Sequence, residues 1–384
     1  MSFRKRNEIV GRAPTTRPLT RAPARSPVPT SVSPKPQKPE STVGVIPSPV
    51  TSQPTVSTGC ADLDKILHHM GLPLGNTLLL EESGTTDFTS VLLRGFAAQG
   101  VMHNRVEKGK LACHVVVVGP PAAWAVDLPG EYKGSSKEQK QARIAAEKAR
   151  VSVANMADSD LKIAWRYGLR PQGESTSETE NGVNEHYSTQ FDITQRLVPA
   201  ASSTDISFVP LSGSYGSVMA QISHIVESHS RQQKVVRIVL PGFLNPSMYS
   251  ASWSSPSVVI PFFHSLRALV TNSPRVVLAA SLPLDLYPRH GILTQVFESL
   301  ADGVIHLQPF NAELAALVER AYKNQPAKIQ QGLVHVIKVP VLSARGMMMV
   351  RNGEYAFKNG RKKFEIEEWG IPVEDEEPEK EMDF

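Results

Sequence analysis

Thr77-Leu78-Leu79-Leu80 is an apolar run set between a Gly/Pro turn, Gly71-Leu72-Pro73-Leu74-Gly75, and a polar turn from Glu82 to Asp87. A run of that length bounded by turns reads as a buried strand. Beyond the polar turn, Phe88, Val91, Leu92 and Phe96 recur at helical spacing, with Asp87 placed as the N-cap. Strand, tight turn, helix is the frame that a phosphate-binding loop needs.

Such a loop takes the form GxxxxGK[ST]. With strand and helix aligned, Glu82-Ser83-Gly84-Thr85-Thr86-Asp87-Phe88-Thr89 fills the slot. Glu82 and Asp87 stand where glycines would let backbone N–H groups approach phosphate, and Phe88 stands where a lysine would supply positive charge. Gly84 falls inside the loop, and only Thr89 fits its position. The frame of a nucleotide site is present without its chemistry, and no cofactor is expected.

The rest of the chain extends an α/β pattern. His114–Val118, Val235–Leu240, Val276–Ala280 and Gly303–Leu307 are further apolar strands, and Phe208-Val209-Pro210 is a shorter one. Helices are predicted near 217–228, 261–272 and 291–300. Alternating strands and helices predict a mostly parallel sheet covered on both faces. An ATPase would place an Asp after the strand Val235–Leu240 to hold magnesium. Here Pro241-Gly242-Phe243 follows instead. From Leu333 the pattern shifts to short strands at 333–339, 347–350, 355–358 and 363–367 with Asn-Gly turns, an antiparallel extension.

The ends differ in character. Residues 1–55 are rich in Pro, Ser, Thr and Arg and read as a disordered tail; the first forty hold nine Lys/Arg and two acids. That balance suits a solvated tail or a nucleic-acid or nuclear-import segment. Residues 373–384 form an acidic tail with seven acids and one base. The two nearly cancel, so the core between them carries little net charge and any nucleic-acid contact must use a local patch. Residues 134–160 read as a charged helix, and flexible insertions are expected near 130–160 and 171–190. No apolar run is long enough to span a membrane, no secretory signal is legible, and two cysteines, Cys60 and Cys113, suit a reduced intracellular setting.

Candidate sites remain open between two readings. Trp165-Arg166-Tyr167 with Arg170 can stack bases and grip phosphates, or can be a strand with an ordinary ion pair. Lys358, Arg361 and Lys362, with Lys363, surround Asn359-Gly360 and can contact RNA or blunt an edge strand. His68 and His69 lack the i, i+4 spacing of helix metal ligands and suit a solvated or capping role. Met347-Met348-Met349 suits core packing better than copper.

Ser57-Thr58-Gly59 through Leu63-Asp64, followed by Gly71-Leu72-Pro73-Leu74-Gly75, resembles the opening of RecA-type ATPase domains. Further phrases, Leu161 to Tyr167, Phe191-Asp192-Ile193, Gly332 to Val336, Ala356-Phe357-Lys358 and Arg361 to Phe364, are similar to the fourth-subunit family of the Elongator complex. They run in order over roughly residues 56–372. The resemblance implies a RecA-like, non-catalytic accessory subunit in a hetero-hexameric ring with Elongator subunits five and six. It further implies tRNA binding, service to the catalytic core that modifies the wobble uridine of tRNA anticodons, and a cytoplasmic and nuclear setting. A ring ATPase with composite sites between subunits and an inactive RecA-like DNA-recombination mediator are the alternatives.

Overall fold

β4 (Thr77–Glu82) is buried along its whole length and lies inside a nine-stranded sheet. On either side it pairs in parallel with β10 (Val276–Pro283) and β11 (Gly303–Pro309). Next to β10 come β9 (Val235–Leu240), β5 (Cys113–Val118) and β8 (Ile206–Val209), all parallel. Next to β11 the sheet continues antiparallel through β12 (Gly332–Lys338), β13 (Tyr355–Asn359) and β14 (Phe364–Glu368). The computed structural model describes residues 42–107, 109–134, 140, 186–341, 343 and 353–370.

Parallel strands buried on both faces need no alternation of polar and apolar residues, which is why these runs read as continuous Val and Leu. Leu78 and Leu80 join one core with α1 (Ala61–Ile66) and α2 (Phe88–Val106). Leu79 joins the opposite core with α3 (Tyr215–Arg231), α4 (Pro256–Thr271) and α5 (Ile292–Leu300). Val115 and Val117 divide from Val116 and Val118 in the same way. This is the RecA-like sheet with antiparallel C-terminal strands that the sequence predicts. The helix α6 (Ala312–Ala321), with Asn311 as its N-cap, is an addition that the sequence reading does not assign.

Three expectations are corrected. The tail expected to end at residue 55 gives way earlier, because β1 (Val45–Pro47) and β2 (Pro54–Val56) pair antiparallel and β3 (Leu72–Pro73) extends them. Prolines at the strand ends hide these short segments, while Val56 is buried in the core. His69 is buried and meets Ser48 Oγ at 2.8 Å, so it is an interior residue rather than a solvated one. The insertions expected to be flexible near 130–160 and 171–190 are ordered at their edges: β6 (Pro129–Glu131) pairs with β7 (Phe191–Arg196), and Tyr187 Oη donates to the Met70 carbonyl at 2.7 Å. The remainder of both insertions, the phrase Leu161 to Tyr167, the strand near 347–350 and the acidic tail lie outside the described residues.

Candidate functional site

The opening motif folds around one carboxylate. Asp64, buried on α1, accepts from Ser57 Oγ at 2.5 Å, Thr58 N at 2.7 Å and Thr58 Oγ1 at 2.6 Å. Burial pushes its carboxyl up to about 6, while these hydrogen bonds pull the other way. Gly59 has φ of 85°, and a Cβ there would meet the Gly95 carbonyl at 2.4 Å, so only glycine lets the loop lie against α2. Arg237 of β9 is fully buried beneath; its Nη1 donates to the Ser57 carbonyl at 2.8 Å and the Phe96 carbonyl at 3.2 Å. Its guanidinium carbon lies 4.6 Å from the Phe96 ring centre. The motif is therefore a clamp between sheet and helix.

At the end of β4 the chain turns through Ser83–Asp87 into α2. The first N–H groups of a helix have no intrahelical partner and attract an anion. Here the anion is Glu82 itself. Its Oε2 accepts from Thr89 N at 2.8 Å, and its Oε1 from Phe88 N at 3.0 Å and Thr86 Oγ1 at 2.6 Å. Glu82 is buried, whereas Gly84 (φ 93°) and Asp87 are exposed in the turn. Asp87 takes the N-cap position, but its side chain makes no capping hydrogen bond. The cap expected from Asp87 comes from Glu82, six and seven residues before the N–H groups that it holds.

Phe88, in the lysine slot, turns toward the antiparallel extension. Its ring centre lies 4.8 Å from that of Phe357 and 6.5 Å from that of Phe364. The segment after β9 is equally committed: Gly242 N donates to Ser281 Oγ at 2.8 Å, and Phe243 is buried among Tyr249, Phe262, Phe263 and Phe297. Among the described residues no group of His, Cys, Asp and Glu could hold a metal ion.

On the opposite face, fully buried Glu81 pairs with Arg289, which also bonds Glu298 at 2.8 Å. Ser83 Oγ lies 2.8 Å from His306 Nε2. These groups were not legible as a set, since register alone brings Glu81 beside His306. The basic cluster divides. Lys358 is spent in an ion pair with Glu365 at 3.2 Å, Arg361 is exposed, and the Lys362 carbonyl accepts from Ile193 N at 2.8 Å. Arg166, Tyr167 and Arg170 lie outside the described residues.

A central parallel strand that runs through a tight loop into a helix, flanked by β10 and β11 and extended by antiparallel strands, defines a RecA-like domain. The PAXNEB protein family matches residues 38–383. The chain is 44% identical over 356 residues to Elongator complex protein 4 of Saccharomyces cerevisiae, covering 87% of this chain and 77% of that relative. Elongator complex protein 4 of Schizosaccharomyces pombe is 28% identical (84% of this chain, 86% of the relative), and that of Homo sapiens 23% (86% and 80%). The chain belongs to the PAXNEB family, that of Elongator complex protein 4. Among solved structures, a KaiC-like protein of Pyrococcus horikoshii aligns with a TM-score of 0.39 and 15% identity, covering 82% of this chain and 98% of that one.

Proposed function

We propose that the chain is a non-hydrolytic RecA-like subunit of the Elongator complex. In this reading it assembles with Elongator subunits five and six into a hetero-hexameric ring that binds tRNA. The ring serves the catalytic core that modifies the wobble uridine, in the cytoplasm and nucleus. The chain's 44% sequence identity to Elongator complex protein 4 of Saccharomyces cerevisiae supports membership of the complex.

The observation that carries the non-hydrolytic part is the Glu82 carboxylate seated on the N–H groups of Phe88 and Thr89. A phosphate would have to displace a buried, hydrogen-bonded carboxylate and meet no lysine there, since Phe88 packs on Phe357. The loop is in this account a degenerate phosphate loop, kept for architecture. Co-expression with subunits five and six tests the assignment. The expected product is a soluble assembly near the mass of six chains that binds tRNA and turns over no ATP at this chain's loop. A monodisperse monomer that ignores both subunits would contradict it.

A further inference from the structure

Between β7, the end of α2 and the turn before β14 lies an open groove of about 570 Å³. Arg105, Lys133, Arg196 and Lys362 line it, against two acids, Glu131 and Asp192. Asp192 is buried, and its Oδ1 is taken by Thr194 N at 2.9 Å and Thr194 Oγ1 at 2.6 Å. Arg105 is anchored on the carbonyls of Val198 and Pro199, so its charge is held without a carboxylate bonded to it. Arg196 has one exposed partner, Asp127, at 3.1 Å. Among the described residues neither Lys133 nor Lys362 forms an ion pair. The turn is fixed in place, because the Lys362 carbonyl is bonded to Ile193 N.

We propose that this groove is where the chain grips the phosphodiester backbone of RNA, with Lys133, Arg196 and Lys362 facing successive phosphates and Arg105 supplying fixed charge at the floor. The proposal rests on the reading above that the chain binds tRNA, and it assigns that binding to one surface. Contacts of this kind position a nucleic acid without reading its sequence. The local aromatic agrees: the Lys363 ammonium sits 3.8 Å from the Tyr132 ring centre, and Lys362 5.9 Å from it, so that ring holds cations rather than offering a bare face for a base. The Lys358–Glu365 pair leaves Lys358 outside the surface.

The test is tRNA binding by the full chain co-purified with its Elongator partners, read by fluorescence anisotropy across a salt series. Each lost phosphate contact lowers the slope of log K against log salt by about 1. Lys133→Glu with Lys362→Glu should weaken binding by more than about tenfold and lower that slope by about 2. Lys323→Glu with Lys328→Glu, an equal charge change outside the groove, should leave binding near wild type. Wild-type binding with no loss in the groove variant overturns the groove and leaves the tRNA reading standing. A wild-type assembly with no salt-dependent tRNA affinity overturns the tRNA reading itself. Unchanged tRNA binding with loss of a subunit on gel filtration would make the groove a protein interface and overturn the proposal.

Discussion

The Glu82 carboxylate accepts the backbone N–H of Thr89 at 2.8 Å, so the last residue of the central strand caps the helix that follows it. The anion that the first N–H groups of α2 attract is supplied by the chain itself. Glu82→Ala should lower stability by about 1–3 kcal/mol, since it strands N–H donors at the head of α2. Sulfate or phosphate should recover part of the loss in the variant and not in wild type. Thermal melts with and without sulfate check both; a variant as stable as wild type would show that the cap contributes nothing.

Gly59 is a second point of tight fit. Gly59→Ala combines a φ of 85° with a Cβ only 2.4 Å from the Gly95 carbonyl oxygen. The loop or α2 must move, and a loss of about 2–4 kcal/mol is expected. Denaturant unfolding measures it. Gly109, also at positive φ but with no atom within 4 Å of a Cβ, should cost less when changed to Ala.

The N-terminal boundary is testable by truncation. A chain beginning at residue 42 keeps the β1–β2 pairing and the Ser48–His69 contact, and one beginning at residue 54 loses both. The shorter chain should melt lower, with Val56 and Leu72 left under a broken sheet edge. Equal melting temperatures would return the boundary to the position near residue 55 that composition suggests.

Buried histidines set the pH response. Burial lowers His103 from 6.5 to about 3, and His114 and His306 to about 4. As pH falls through 6.5 the unfolded chain takes up protons that the folded chain refuses, so stability is lost. Asp64 acts oppositely: raised from 3.8 to about 6, it takes up a proton in the folded chain first and favours folding as pH falls through that window. His69, His229 and His335 are also lowered, and Glu81 is raised by burial. The histidines outnumber the carboxyls, so the melting temperature should fall on going from about pH 7 to about pH 5. His103→Gln should narrow that fall; an unchanged pH slope would remove His103 from the account.

Much of the fold was legible because both-face burial turns β4, β5, β9 and β10 into apolar runs that composition alone reveals. The three-residue strands at Val45 and Pro54 carried no such signal, since their order comes from pairing with each other and from packing on the core. At the site, Glu82, Asp87 and Phe88 were readable as residues that do not fit the phosphate-loop pattern. What Glu82 does was not readable, because its partners lie across a turn. Sequence patterning favoured Asp87 as the cap by its position, and tertiary geometry chose the residue at the strand end. Arg237 carried no warning either: one charged residue in an apolar strand becomes intelligible only when the Ser57 and Phe96 carbonyls are seen beside it.

Titration of the purified wild-type chain with magnesium-ATP by isothermal calorimetry tests the central claim. With the carboxylate of Glu82 on the N–H groups of Phe88 and Thr89, and Phe88 in the lysine slot, a triphosphate meets repulsion on the order of 4 kcal/mol per unit-charge contact at an effective dielectric near 20. The expected affinity is no tighter than about millimolar, or about −4 kcal/mol. Magnesium-dependent binding at about micromolar Kd would contradict it and show that the seat at the head of α2 is open to nucleotide.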